Sequence, residues 1–193
     1  VKAHHAHPGT ALAVGKAVQA TVASCGLPEG TFSLLYGGGR TVGQHLVCHP
    51  SLKAVGFTGS RSGGRALFDL AASRPEPIPV YAEMSSVNPI FLLPSALAER
   101  SDQIAEGLQG SATLGVGQFC TNPGIVLHDK GEAGDKFKTT YAKLMGQSTA
   151  APMLHSGIRE AYGEGVSSLA DRPQVEVLKY SSNDRGPGGC DAL

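Results

Sequence analysis

A cysteine between glycines is the residue of this sequence best suited to covalent chemistry. Cys120 lies in the segment Gly117–Gly124, which reads GQFCTNPG. Glycine allows sharp backbone turns and the close approach of a ligand, so the segment predicts a loop that exposes the thiol. A free cysteine is more often a small buried hydrophobe, and we interpret Cys25, Cys48 and Cys190 in that way. The setting of Cys120 instead predicts a nucleophile that attacks a carbonyl carbon and forms a thioester.

An isolated acid upstream could supply the water needed to cleave such a thioester. Glu83 directly follows the apolar run 78–82, which reads IPVYA. An acid in this position is ordinarily solvated at the end of a strand. The apolar run instead favours partial burial, which suits a carboxylate to act as a general base. We therefore predict that Glu83 is the base.

A glycine-rich turn precedes the acid and has the form of an anion-binding site. The segment Phe57–Gly64 reads FTGSRSGG and predicts a strand, a turn and a helix. In such a turn, Gly59, Ser60 and Gly64 would place backbone N–H groups, a hydroxyl and the positive end of the helix near a phosphate. The GxGxxG fingerprint of Rossmann domains is absent, and a plain turn is the alternative interpretation.

The elements that must position these residues alternate between strand and helix. Strands are predicted at 32–36, 54–58, 78–82, 88–93, 124–127 and 175–178, and helices at 9–24, 41–47, 64–73, 96–114, 134–145 and 158–170. Such alternation with short links predicts an α/β protein with parallel sheets. Part of a doubly wound nucleotide-binding sheet would come first, and part of an α/β catalytic domain would follow. We place the boundary so that the domains are 1–84 and 85–193.

The composition excludes several classes of partner. The 16 basic and 16 acidic residues balance, so no net charge draws the chain to nucleic acid or to an anionic membrane. No apolar run approaches the ~20 residues of a membrane span. Neither a secretory signal nor close CxxC spacing is visible, which predicts free thiols and a cytoplasmic location.

Three motifs in one order carry a resemblance to the NAD(P)-dependent aldehyde dehydrogenase superfamily. They are FTGSRSGG at 57–64, Glu83 and the GQFC core at 117–120. The family follows its glutamate with LGGK, whereas this chain has MSSVNP at 84–89. That departure, together with VKAH at 1–4, resembles the α-ketoglutaric semialdehyde (2,5-dioxopentanoate) dehydrogenase branch. The resemblance implies that Cys120 is the nucleophile and Glu83 the hydrolytic base.

The resemblance also assigns residues to a nicotinamide cofactor, NADP or NAD. It implies that Lys2 contacts the adenosine ribose and that Gly39 and Gly43 form a second glycine pair near the adenosine. A plain turn before a helix is the alternative interpretation of these two glycines. NAD-preferring members often have a glutamate three positions after this lysine, where this chain has His5. An imidazole tolerates a 2′-phosphate better than a carboxylate does, so we expect NADP to be accepted. His4, His5 and His7 could instead form a metal cluster, but no carboxylate or cysteine lies close to them in sequence, and we predict no metal site.

The predicted function is oxidation of a small-molecule aldehyde to a carboxylic acid through a cysteine thiohemiacetal and thioester. The resemblance implies that the chain is an internal segment of a longer homo-oligomeric enzyme, with part of the oxyanion site upstream of Val1. One alternative is a CoA-acylating aldehyde dehydrogenase, which needs no hydrolytic base. The other is an inactive nucleotide-binding or structural fragment.

Overall fold

Residues 1–178 are described by a computed structural model, in which the chain divides into two compact units. The first unit is Val1–Ser85, and the second begins at Ser86. Both contain helices and parallel strands, so the predicted α/β class is confirmed. The assignment of 1–84 to nucleotide binding and of 85–193 to catalysis stays a prediction.

The first unit is built around two parallel strands. Its elements are α1 (Pro8–Ser24), a π-helical turn (Gly39–Gly43) that leads directly into α2 (Gln44–Cys48), β1 (Val55–Thr58), α3 (Arg61–Ala72) and β2 (Val80–Glu83). The strands pair in register from Val55 with Val80 to Thr58 with Glu83. This register places the turn after β1 beside the end of β2, where the predicted anion site and the predicted base both lie.

Only one face of this sheet is covered within the first unit. Val47, Val55 and Ala71 form its buried core, to which apolar residues of α3 and β2 add. Side chains alternate in direction along a strand, so Tyr81 and Glu83 share the opposite face, and both are exposed. The covered face therefore fixes the strands, while the open face presents the acid.

The second unit repeats the strand-helix pattern. Its elements are β3 (Pro89–Leu92), α4 (Pro94–Thr113), β4 (Ile125–His128), α5 (Glu132–Gln147) and α6 (Ser156–Ala170). β3 and β4 are parallel, from Pro89 with Ile125 to Leu92 with His128. The core of this unit is formed by α4 and α5, through Leu97, Ala105, Leu108 and Phe137.

Helix α4 matters most for the site because the cysteine loop follows it. Lys136 of α5 donates a 2.9 Å hydrogen bond to Asp102 of α4, and this bond lowers the pKa of the Asp102 carboxyl. Buried Leu108 anchors the last turns of the helix to the core. The cysteine loop thus begins from a helix that is packed along its length, even though α4 is kinked at Arg100.

Two predicted strands are wrong. Within 32–36 only Leu35 pairs, through one parallel bridge to Lys2. Residues 175–178 form no strand, and the Val175 N–H donates back to Arg172 in a turn. A strand requires a partner ladder, and the described residues offer these apolar segments none. None of the helices in the described range is long and apolar enough to cross a membrane.

Candidate active site

A left-handed turn carries the chain from α4 into the cysteine loop. Gly115, Val116 and Gly117 have φ values of 58°, 60° and 68°. Glycine adopts this conformation readily, but a β-branched valine there is strained. A Cβ at Gly115 would also collide with the ring of Phe119. The glycines predicted to bend the backbone do so immediately before Cys120.

Cys120 lies exposed on a turn that two asparagines hold. The Asn122 N–H donates to the Phe119 carbonyl over 3.1 Å, and the Asn122 side chain donates to the Ala112 carbonyl in α4 over 2.9 Å. The Asn88 side chain donates to the carbonyls of Cys120 and Asn122 over 2.7 and 2.9 Å. The thiol is therefore accessible, as predicted, on a backbone that is fixed at several points. The interpretation of Cys25 and Cys48 as buried hydrophobes is wrong, because both lie at the C-terminal end of a helix and are exposed, and Cys190 lies outside the described residues.

The backbone N–H of Cys120 points away from this turn. In a trans peptide the C=O and N–H groups face in opposite directions, and the Phe119 carbonyl faces Asn122. Within residues 1–178 the Cys120 N–H forms no hydrogen bond. It can donate to an oxyanion formed when the neighbouring thiol attacks a carbonyl carbon.

Glu83 is the last residue of β2, and its side chain is exposed. The partial burial predicted from the apolar run 78–82 is therefore wrong for this unit. The cause is strand alternation, which places Glu83 on the uncovered face of the sheet. Its backbone carbonyl accepts the Gly59 N–H over 3.0 Å, so the predicted base and the predicted phosphate-binding turn are neighbours.

The glycine-rich turn has the predicted strand-turn-helix form. Ser60 precedes α3, and its hydroxyl oxygen caps the helix by accepting the Gly63 N–H over 3.2 Å. Gly64 has a packing role: it is buried, and a Cβ there would lie 2.5 Å from the Met84 sulfur. With Gly59 leading into the capped helix, the turn fits a phosphate through its remaining N–H groups.

The residues predicted to contact adenosine lie in the first unit. The Lys2 ammonium donates to the Gly37 carbonyl over 3.2 Å, so Lys2 reaches the start of the glycine-rich segment. Gly39 and Gly43 bound the π-helical turn before α2. His5 is exposed, and its ring stacks on that of His4 with centroids 4.5 Å apart. The structure thus brings Lys2 to the glycine segment and leaves the His5 residue accessible.

Asn88 and Asn122 are the residues that sequence reasoning missed. Both lie within the motifs at 84–89 and 117–124, where their residue type alone predicts no role. Asn88 adopts a positive φ of 47°, a conformation in which asparagine is enriched among residues other than glycine. An asparagine directly before Pro89 was the available signal, but its partners lie more than 30 residues along the chain.

Comparison with known proteins places the chain in a family. The aldehyde dehydrogenase family profile matches residues 1–157. The chain is 56% identical over 178 residues to alpha-ketoglutaric semialdehyde dehydrogenase 2 of Azospirillum brasilense, covering 92% of this chain and 34% of that protein. It is 42% identical to alpha-ketoglutaric semialdehyde dehydrogenase of Acinetobacter baylyi, covering 92% and 33%. The chain thus spans about a third of the length of these curated relatives.

Solved structures agree on the fold. Glyceraldehyde-3-phosphate dehydrogenase GapN of Methanocaldococcus jannaschii, solved with NADP, superposes with a TM-score of 0.80 at 18% identity, over 99% of this chain and 41% of that one. A NAD-dependent benzaldehyde dehydrogenase of Corynebacterium glutamicum gives 0.72 at 22% identity, over 88% and 37%. With most of its residues matched by the family profile, this chain belongs to the aldehyde dehydrogenase family.

Proposed function

We propose that this chain supplies the nucleophile, the hydrolytic base and part of the cofactor site of an enzyme that oxidises α-ketoglutaric semialdehyde to the carboxylic acid. The enzyme would be a protein of the relatives' length that contains these 193 residues, called here the full-length form. The observation that carries the proposal is the exposed Cys120 thiol on a fixed loop, beside a backbone N–H that points away from its turn. The two semialdehyde dehydrogenase relatives support the choice of substrate.

Cys120 would act in both halves of the reaction. Its thiolate attacks the aldehyde carbon, and the carbonyl oxygen becomes an alkoxide that the Cys120 N–H can stabilise. Collapse of this thiohemiacetal releases a hydride and leaves a thioester on sulfur. A sulfur atom suits both halves of the reaction, because it is a strong nucleophile toward the aldehyde and an adequate leaving group from the thioester. An accessible thiol on a rigid loop meets both needs.

Glu83 would act in the second half only. As a carboxylate it accepts a proton from water, which then attacks the thioester carbon and frees the acid and the thiol. Exposure of Glu83 on the open face of β1 and β2 keeps its oxygens accessible to water. This role separates hydrolysis from transfer to a second thiol, for which no base at this position is needed.

The first unit would hold NAD or NADP, which accepts the hydride. The N–H groups at the start of α3, with Gly59 and the Ser60 hydroxyl, fit the pyrophosphate. Lys2 fits the adenosine ribose because its ammonium already reaches the glycine segment at Gly37. Gly39, Gly43 and Gly64 complete the proposed cofactor site, Gly64 through the packing of α3.

A direct assay tests this function. We expect the full-length form to convert α-ketoglutaric semialdehyde to α-ketoglutarate, with one reduced nicotinamide formed for each acid. Addition of coenzyme A should leave the product unchanged, because Glu83 directs water to the thioester. Formation of an acyl-CoA would favour the CoA-acylating alternative. No turnover with any aldehyde, despite bound cofactor, would favour the inactive fragment. A homo-oligomeric state and a cytoplasmic location are further proposals, which size measurement and cell fractionation test.

The cofactor preference gives a second prediction, at His5. In the full-length form, His5→Glu should weaken NADP binding about tenfold, or ~1.4 kcal/mol, and change NAD binding little. The reason is a new carboxylate near the expected 2′-phosphate. The matched control is His7→Glu, which makes the same charge change two residues away at another exposed histidine. Titration of both cofactors measures the effect, and equal weakening of NAD and NADP would show that His5 does not face the ribose.

A further inference from the structure

We propose that Asn88 is the positioning residue of the candidate nucleophile, an inference that rests on the proposed role of Cys120. One amide nitrogen of Asn88 donates to two carbonyl oxygens of the cysteine turn, those of Cys120 and Asn122. These hydrogen bonds, of 2.7 and 2.9 Å, join the residue before β3 to the loop after α4. Asn88 therefore joins the turn directly to a strand of the unit.

The two hydrogen bonds from Asn88 also orient the peptide planes on either side of the Cys120 Cα atom. Holding the Cys120 carbonyl fixes the plane of the Cys120–Thr121 peptide, because that peptide is planar. Holding Asn122 supports the hydrogen bond from its N–H to the Phe119 carbonyl. That second bond sets the plane of the Phe119–Cys120 peptide and hence the direction of the Cys120 N–H. Both peptides that flank the thiol-bearing carbon thus depend on Asn88.

The backbone conformation of Asn88 is strained, so this arrangement costs conformational free energy. Its φ of 47° is unfavourable for residues other than glycine, although asparagine and aspartate tolerate it best. The residue before Asn88 makes a second contact with the loop: the Gly124 N–H donates to the Val87 carbonyl over 2.9 Å. Val87 and Asn88 therefore hold the turn at Cys120 and at its exit, and only the Asn88 contact is made by a side chain.

These contacts predict how a loss of Asn88 would differ from ordinary destabilisation. A misplacement of about 1 Å in a reacting group can lower the rate about 100-fold. Loss of the amide donors should therefore slow attack on the aldehyde and leave the affinity for cofactor and substrate nearly unchanged. A purely structural role would instead lower stability and leave the rate of the folded enzyme intact.

The test compares Asn88→Asp with Asn88→Gly in the full-length form. Aspartate and glycine both tolerate the positive φ at this position, and both lack the amide N–H donors of asparagine. We expect each to slow the first turnover of reduced cofactor about 10- to 100-fold, with the KM for aldehyde and the Kd for cofactor within about twofold. Hydrogen exchange at the amides of Asn122 and Gly124 should accelerate about tenfold or more, with α5 unchanged.

The matched control is Gln109→Glu, which makes the same amide-to-carboxylate change in the same unit. Gln109 donates to the Ser148 hydroxyl over 2.7 Å, and within residues 1–178 its side chain forms no hydrogen bond to the cysteine turn. Its first-turnover rate should equal that of the parent after matching for thermal stability. If the Asn88 variants slow the reaction no more than this control, or if loop exchange rises while the rate stays intact, the assignment of Asn88 is overturned. Absence of aldehyde oxidation in the parent, with loop exchange raised in the variants, would count against the proposed function alone.

Discussion

Cys120→Ala in the full-length form is expected to abolish aldehyde oxidation while cofactor binding stays nearly intact. Alanine cannot form the thiohemiacetal, so both halves of the reaction lose their covalent intermediate. Removal of a nucleophile from a catalytic unit lowers turnover by roughly 10⁶-fold in a well-studied case, so activity should fall to background. Steady-state assays and cofactor titration measure the two quantities. The residues proposed to bind the cofactor lie in the first unit. The affinity of the enzyme for the cofactor should therefore not depend on the Cys120 thiol.

The control for this prediction is a second exposed thiol. Cys25 follows α1 in the first unit and is exposed, as Cys120 is. Cys25→Ala should retain the activity of the parent, because no loop of glycines and asparagines holds that thiol. Substantial turnover by the Cys120 variant would mean that another group attacks the aldehyde. Equal losses in both variants would indicate general damage to the protein.

Glu83→Gln should separate the two halves of the reaction in time. A glutamine cannot accept the proton of the attacking water, and loss of a general base typically costs about 10²- to 10⁴-fold. One equivalent of reduced cofactor should therefore appear at nearly the parent rate, after which the thioester accumulates and turnover stalls. Rapid-mixing kinetics show the burst, and mass spectrometry of the trapped protein shows an acyl group on Cys120.

Glu76 offers the matched substitution. It lies before β2 in the same unit, and its exposed carboxylate is 3.9 Å from the Lys53 ammonium. Glu76→Gln removes the same charge at a site without a proposed role and should turn over normally. If Glu83→Gln lost its burst and kept fast hydrolysis, Glu83 would act before the thioester and would not be the base.

The elements that form the scaffold could be predicted because their signals are local. The period of apolar residues predicts α1, and the sequence FTGSRSGG predicts the turn at Ser60, where the hydroxyl caps α3 as expected for a helix start. The strand at 32–36 could not be predicted correctly, since strand formation depends on a partner rather than on the apolar run itself. Only Lys2 pairs with it in the described part of the chain.

The site shows the same division between local and distant causes. Cys120 and its glycines are contiguous, so an exposed thiol could be predicted from one segment. The exposure of Glu83 depends on what covers the second face of a sheet, which its apolar neighbours do not reveal. The role of Asn88 depends on two carbonyl groups more than 30 residues away, and backbone acceptors leave no mark on the sequence.

The close fit at the exit of the cysteine turn limits how these segments can evolve. A Cβ at Gly124 would lie 2.6 Å from the Val87 carbonyl oxygen, a backbone atom that cannot rotate aside. Any larger residue at 124 therefore requires a shift of the backbone at Val87, the residue directly before Asn88. Evolution at position 124 is therefore tied to the backbone of the segment before β3, because a larger residue there requires a compensating change at or near 87.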